Sequence, residues 1–410
     1  MKYLILLIVV FSNLANSNGL DDKLNIIKKL YELTPKQCND IRSPNATANE
    51  IQLGELFFTS KLLSGNKNIA CIDCHLEKFH STDGLPLAVG VGGKGEGKER
   101  LYDGVGTIVP RNAISLTGIG NKKFTQFFWD GKVGEDKDKN IYSQLGMKLS
   151  HKFDNTLAVA SVMPILERDE LIGSSSMLNT NEIRRAVGGK LYQKRFDAVS
   201  TIINKRFLNL DKENSDIKAL LDKLGIENVD LITIGNFISK FIANEFKCST
   251  SKFDKYLQGD SNLLSDPEKR GAIIFYGKGR CASCHKGNFY SDNLFHSIGV
   301  YQGKFGPHSR HRDLGRGGVT YRFEDNYKFR TPTLVDVKNT APYGHNGMFD
   351  SLEGVVIQHF NPVYSLMRDK TINKFSSISP TLDSRDRVLS TIRIHKEEEL
   401  QDLIDFLTTL

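Results

Sequence analysis

Two short segments, Cys71–His75 and Cys281–His285, share the pattern Cys-x-x-Cys-His. Two thiols at this spacing can form thioethers with the vinyl groups of one porphyrin, and the following histidine can bind its iron. A zinc site would require further ligands at finger spacing, which follow neither motif, and a thioredoxin-like redox pair does not require the histidine. The motifs therefore predict two covalently bound haem c groups, held by Cys71, Cys74, His75, Cys281, Cys284 and His285.

Helices are predicted before both motifs and would position them. Residues 49–63 show an apolar face at helical spacing, and Ser265 with Glu268 predicts a capped helix that runs toward Cys281. The repeated order of helix, short turn and motif predicts a mostly α fold with two cytochrome c-like domains and a cleft between them. Their predicted bounds are 18–228 and 229–410. Further helical segments are predicted over 22–33, most of 179–246 (with 214–230 as a connecting region) and from Glu397 onward.

Composition excludes several functional classes. The chain is 39% hydrophobic and 25% charged, which is typical of a globular protein, and its net charge is +7. The positive charge is spread without a dense Lys/Arg run, so nucleic acid is not an expected partner, although an acidic partner surface is compatible. The glycine-rich stretch 84–106 lacks the Walker pattern, so we interpret it as a loop near the haem edge.

The first 17 residues have the features of a secretory signal. Lys2 provides the charged start, an apolar stretch follows, and 15–17 offers small residues for cleavage. The apolar stretch is too short for a mature membrane anchor. The sequence therefore predicts export to the periplasm without a membrane anchor, which is a compartment that suits covalent haem attachment.

Two cysteines, Cys38 and Cys248, lie outside the haem motifs. In an oxidising compartment an even remainder is compatible with one disulfide. Two unrelated buried thiols are the alternative, because the sequence provides no distance between them.

A series of further motifs accompanies the two haem motifs in a set order. They are Arg111-Asn112-Ala113, Phe128-Trp129-Asp130-Gly131, Pro164-Ile165-Leu166 with Glu170-Leu171, Phe295–Val300, Phe329–Leu334 and Thr340–Gly347. With these motifs in this order, the chain resembles the bacterial di-haem cytochrome c peroxidase family, including the MauG-type enzymes. The resemblance implies an N-terminal haem that meets hydrogen peroxide at an open iron. It also implies a six-coordinate C-terminal haem that passes electrons.

The resemblance carries over to residues between the haems. It implies that Trp129 lies between the two haem groups. It also implies a calcium ion between the domains, bound by the Asn112 side chain and by backbone carbonyls of Thr340 and Pro342. Oxygen ligands of this kind suit a hard cation.

Cleavage of peroxide needs a group that moves a proton from one oxygen to the other. The resemblance places a catalytic glutamate at Glu170, with Glu167 as its local competitor. Peroxidases that need reductive activation carry a displaceable histidine ligand at the position that is Val91 here, and valine cannot bind iron. The distal glutamine of MauG-type members falls on Ala160. Substitute distal groups could be His80 and His151, although surface or structural roles are more common for such histidines.

The resemblance also predicts the sixth ligand of the second haem. Counting from Leu352 places it at His359, where the family has methionine or tyrosine; an inserted residue would move it to Phe360, which cannot bind iron. Weaker candidates are His345 and Met348. An imidazole in place of a thioether would lower the potential of this haem. Predicted partners of the haem propionates are Arg316 and Arg330.

The leading hypothesis is a periplasmic di-haem peroxidase-type oxidoreductase that reduces hydrogen peroxide, with a small redox protein as electron donor. The first alternative is MauG-like oxidation of the side chains of a protein substrate. The second alternative is a plain electron-transfer cytochrome, which Glu170 and the absence of an evident sixth ligand at the first haem argue against.

Overall fold

The structure is a computed structural model that describes residues 19–102, 107–173, 180–301, 313–361, 363–364 and 380–410. The predicted signal segment 1–17 lies outside the described residues. Helices account for most of the regular structure, and each strand has only two or three residues. The mostly α prediction is therefore confirmed.

The helices are numbered in chain order. They are α1 Leu20–Leu30, α2 Ala48–Thr59, α3 Met147–Ser150, α4 Thr156–Val162, α5 Glu182–Val187, α6 Tyr192–Leu208, α7 Ser215–Leu224, α8 Leu231–Glu245, α9 Lys252–Leu257, α10 Asp266–Tyr276, α11 Gly317–Thr320, α12 Leu352–Phe360 and α13 Glu397–Leu407. The predicted connecting region 214–230 thus contains α7, and the helix predicted over 49–63 is α2 followed by a short 3-10 turn.

The strands form two small antiparallel sheets. The first joins β1 Gln126–Phe127, β2 Val133–Glu135 and β3 Ile141–Ser143 in that order. Its register pairs Phe127 with Val133 and Gly134 with Tyr142. The second joins β4 Phe295–His296 to β5 Phe329–Arg330.

Capping residues explain where the helices before the two motifs begin. The Thr47 hydroxyl accepts from the backbone N–H of Glu50, whose carboxylate accepts from the backbone N–H of Thr47. Ser265 and Glu268 form the same reciprocal pair at the start of α10, as predicted. Each pair satisfies backbone donors that a helix start leaves without intrahelical partners.

The helix that precedes each motif packs against a helix distant in sequence. Helix α2 packs on α8, which also packs on α4, whereas α10 packs on α13. The N-terminal helix α1 lies against α10. Buried side chains of both halves contribute to one main apolar cluster, which includes Phe57, Phe58, Phe275 and Phe406.

A disulfide joins Cys38 to Cys248, with a Cα–Cα distance of 5.3 Å. Of the two alternatives that the sequence left open, the structure therefore has the disulfide. It links the segment before α2 to the segment after α8, across a sequence separation of 210 residues. Among the described residues no helix is long and apolar enough to cross a membrane.

Candidate functional site

The first Cys-x-x-Cys-His motif opens with the 3-10 turn Cys71–Asp73, and both thiols and His75 line one cavity. The Nδ1 atom of His75 lies 2.8 Å from the carbonyl oxygen of Ser81. A carbonyl only accepts, so Nδ1 carries the hydrogen and Nε2 keeps its lone pair for a metal. Burial lowers the pKa of His75, which favours the neutral imidazole that binds iron. The three residues fit a covalently attached haem.

The second motif lines another cavity, together with His359 of α12. The ring centres of His285 and His359 are 6.4 Å apart. Two imidazoles that share one metal at bonds of about 2 Å would have ring centres about 6.3 Å apart. Their Nδ1 atoms lie 3.0 Å from the Tyr290 carbonyl and 2.7 Å from the Val355 carbonyl, which leaves both Nε2 atoms as ligands. This pair fits one six-coordinate iron.

The competing candidates for the sixth ligand lie differently. His345 lines the second cavity, but its ring stacks on Phe329 at 3.7 Å between centres. Met348 packs beside Tyr301 in a small separate cluster and is not among the residues that line the cavity. His359 is the candidate whose ring centre lies 6.4 Å from that of His285.

Glu170 reaches the first cavity from the single helical turn Arg168–Ile172. The glycine-rich loop holds this turn, because the Val91 N–H donates to the Glu170 carbonyl at 3.0 Å. A Cβ at Gly90 would lie 2.2 Å from the Asp169 carbonyl, so the close approach requires glycine. The Val91 side chain is fully buried and does not line the cavity.

Two carboxyl groups near this cavity have different environments. Burial raises the pKa of Glu170 to about 7, and nearby Lys132 only partly offsets this. Burial acts on Glu167 too, but Lys132, Tyr192 and Arg195 together outweigh it and hold the pKa of Glu167 below its usual value. The Glu167 carboxylate accepts from Lys132 Nζ and from the Tyr192 hydroxyl, each at 2.8 Å. Among the described residues no ion pair joins Glu170, so Glu170 is the better placed proton carrier.

The other residues considered for the distal side of the first haem differ in whether they line the first cavity. Ala160 lines the first cavity, whereas neither His80 nor His151 does. The His80 ring contacts the Asp336 carboxylate, and His151 is exposed after α3. The lining also includes Gln144, which sequence reasoning missed because it follows β3 rather than a family motif.

Trp129 lines both cavities. Its indole N–H donates to the Asn112 carbonyl oxygen at 3.0 Å, and its ring centre lies 6.5 Å from that of His345. The structure therefore puts this side chain at the boundary between the two candidate haem sites.

The three predicted calcium positions, Asn112, Thr340 and Pro342, all line the second cavity. The Asn112 amide nitrogen donates to the Leu85 carbonyl at 2.8 Å, and its backbone N–H donates to the His345 carbonyl at 2.8 Å. One amide and two backbone carbonyls can supply the oxygen ligands that a hard cation takes.

The two arginines predicted to pair with propionates differ. Arg330 is 2% exposed and lines the second cavity, and burial lowers its pKa to about 10. Its guanidinium donates to backbone carbonyls, and no ion pair with a described carboxylate compensates its charge. Arg316 instead donates to the Gly131 carbonyl at 2.7 Å and lies over the Phe295 ring. Of the two, Arg330 lines the second cavity, so it fits a haem carboxylate better than Arg316 does.

Comparison with known proteins shows the family to which the chain belongs. Residues 48–262 match the family model of the di-haem cytochrome c peroxidases that include MauG. The chain belongs to this family. Its members are oxidoreductases, and two c-type haems belong to the family architecture, so the predicted enzyme class is confirmed.

Relatives within the family extend the match beyond that segment. The chain is 25% identical to the methylamine utilization protein MauG of Methylorubrum extorquens over 403 residues, which is 97% of this chain and 87% of MauG. It is 26% identical to the cytochrome-c peroxidase IdrP2 of Pseudomonas sp. strain SCT over 328 residues, 75% of this chain and 72% of that protein.

Solved structures share the fold. A MauG-like protein associated with microbial copper homeostasis superposes with a TM-score of 0.62 at 22% identity, over 93% of each chain. The di-haem peroxidase BthA of Burkholderia thailandensis superposes with a TM-score of 0.57 at 18% identity, over 89% of this chain and 86% of BthA.

Proposed function

We propose that the chain reduces hydrogen peroxide at the first haem and receives the electrons through the second. The observation that carries this proposal is the difference between the residues that line the two cavities together with the motif histidines. His359 faces His285 across a gap that fits one iron. The lining of the first cavity includes Glu170, and His75 is the only histidine among its described lining residues.

The first site would work through its own acid. A haem held by these residues would supply the electrons for cleavage of the peroxide O–O bond. The Glu170 carboxylate accepts the proton of one peroxide oxygen and returns it to the other oxygen, which leaves as water. A pKa of about 7 makes the group able to do both near neutral pH. Cys71 and Cys74 would hold the porphyrin, and His75 the iron.

The second site would store and pass electrons. Cys281 and Cys284 would attach the haem, with His285 and His359 as its iron ligands. Ligation by two histidines leaves no position for peroxide and favours the ferric state more than methionine ligation does. Trp129, which lines both cavities, would lie on the electron path between them.

The proposal also includes a calcium ion, two domains and export to the periplasm. We place one calcium ion at Asn112, Thr340 and Pro342, where it would join the wall of the second cavity to the loop that precedes Trp129. Two cytochrome c-like domains would meet at a cleft near Trp129. The packing of α8 on α2 and α4 supports a domain boundary after Glu245 rather than at 228. Residues 1–17 would direct export to the periplasm.

A second candidate function is MauG-like oxidation of a partner protein's side chains. It is favoured by the match to MauG along 97% of this chain. A small redox protein would be the electron donor in the first case, and a protein substrate in the second. Both functions share the peroxide reaction at the first haem, whereas a plain electron-transfer cytochrome would lack it.

Electron paramagnetic resonance of the purified ferric protein, before and after addition of hydrogen peroxide, tests the proposal. We expect one high-spin haem and one low-spin haem at rest, and a peroxide reaction without prior reduction. Two low-spin haems at rest, with reactivity only after reduction, would contradict the open first site. A protein that leaves peroxide unchanged in both redox states would be an electron-transfer cytochrome.

A further inference from the structure

Lys132 directly follows the Phe128–Gly131 motif and lines the first cavity. Its Nζ donates to Glu167 Oε1 at 2.8 Å and lies 4.5 Å from the centre of the Phe128 ring. The Tyr192 hydroxyl donates to the same carboxylate oxygen. The side chains of Lys132 and Glu167 are only 12% and 21% exposed. An ion pair this shielded is weakly screened by salt and keeps its position.

The charges that face Glu170 are mostly negative. Carboxylates of Glu167, Asp169 and Asp130 act on it, together with burial, and each disfavours its ionised form. Lys132 is the single cation that acts in the opposite direction among these described groups. Two neighbouring thiols, Cys71 and Cys74, would be thioethers in the assembled enzyme and would not titrate.

We propose that Lys132 is a positioning residue for peroxide cleavage, which keeps the Glu170 carboxylate ionised near neutral pH so that it can accept the peroxide proton. Glu167 and Tyr192 hold the ammonium in place. This inference rests on the proposed function of Glu170. It adds the requirement of a fixed cation that is bound to Glu167 and acts electrostatically on Glu170.

The sign of the effect follows from the charges. A neutral residue at 132 leaves Glu170 with burial and three carboxylates, so its pKa rises and the carboxylate form is lost at neutral pH. A neutral residue at 167 removes one negative neighbour of Glu170. The Lys132 ammonium is then no longer neutralised by the Glu167 carboxylate, so the pKa of Glu170 falls. Two substitutions in one ion pair should therefore move the same titration in opposite directions.

The test compares Lys132→Met, Lys132→Arg and Glu167→Gln in the haem-loaded protein. Two quantities are measured: the rate of the peroxide reaction from pH 5 to 9, and the carboxyl infrared band of Glu170, which is identified by its loss in Glu170→Gln. For Lys132→Met we expect both the acidic limb of the rate profile and the infrared titration to move up by about 1 pH unit or more. Glu167→Gln should move both down, and Lys132→Arg should restore the wild-type positions.

Several outcomes separate this proposal from the one on which it rests. An equal loss of rate at all pH values in Lys132→Met, with an unmoved infrared titration, would show a merely structural role and overturn the proposal. If Lys132→Met does not fold, two results still test the proposal: a downward shift of the Glu170 titration in Glu167→Gln, and an unchanged titration in Lys132→Arg. An unchanged peroxide rate in Glu170→Gln would overturn the proposed function itself. A rate lost in Glu167→Gln alone would make Glu167 the proton carrier.

Discussion

The two candidate haem cavities share one attachment motif but differ in the other residues that line them. In the second cavity, α12 presents His359 at a ring-centre distance of 6.4 Å from His285. The lining of the first includes Glu170 and the Lys132–Glu167 ion pair. The attachment motif therefore specifies that a haem is bound, while the distal wall decides whether the iron can meet a substrate.

The two cavities also differ in the elements that build these walls. The proposed distal ligand of the second cavity, His359, lies on the regular helix α12, and the Ser351 hydroxyl caps the start of this helix. The distal groups of the first come from a strand edge, a single turn at 168–172 and the start of α6. Several short elements can present several charges at one place, which acid–base chemistry requires and simple electron storage does not.

The largest expected effect is on the first cavity. Glu170→Gln should slow the peroxide reaction by about 10²–10⁴-fold, because the amide keeps the size of the side chain and cannot carry the proton. In the wild type the same rate should fall as pH decreases through about 7, since burial raises the pKa of Glu170 and only the ionised form accepts a proton. Stopped-flow absorption at several pH values measures both.

Matched controls make this result specific to the first cavity. Glu170→Gln should keep the haem content and the low-spin signal of the second haem. Asp169→Asn neutralises the neighbouring carboxylate and leaves the backbone carbonyl of residue 169, which accepts from Thr107 Oγ1, in place. This variant should retain most of the rate. A wild-type rate in Glu170→Gln would transfer the proton-carrier role to Glu167.

The next effect would make the two cavities more alike. His359→Ala removes the imidazole opposite His285, so the second haem should change from low-spin to high-spin and its potential should change. His359→Met should restore a low-spin haem at a higher potential than the wild type. Ferric absorption spectra and redox titration measure these changes.

His345→Gln is the control for the second cavity, because His345 lines it but stacks on Phe329. We expect its low-spin signal to match the wild type. If His345→Gln abolished that signal while His359→Ala preserved it, the ligand would be His345 and the comparison of the two cavities would need a different basis.

The smallest effect on the cavities should come from the disulfide. Cys38→Ala combined with Cys248→Ala should lower the free energy of unfolding by about 2–4 kcal/mol, because the bond restricts the unfolded chain. The spin states of both haems should stay as in the wild type, since neither residue lines a cavity. Denaturant titration in parallel with absorption spectra separates stability from ligation. A changed spin state would show that the disulfide positions a haem.

The sequence by itself determined the features that depend on local spacing. The Cys-x-x-Cys-His motifs need only five consecutive residues to specify haem attachment, and the Ser265–Glu268 pair needs one helical turn to start α10. The apolar periodicity that defines α13 is also local. Resemblance to the family added Glu170 and Trp129, which lie within recognisable motifs, and His359, which was placed by counting from Leu352.

Only the tertiary structure decided the features that join distant segments. Lys132, Glu167 and Tyr192 come from three elements, so their shared hydrogen bonds follow no sequence period. The Cys38–Cys248 bond spans 210 residues, and the sequence contained no distance to choose between a disulfide and two thiols. The same holds for the pKa of Glu170, because burial and neighbouring charges set it and both arise only when the chain folds.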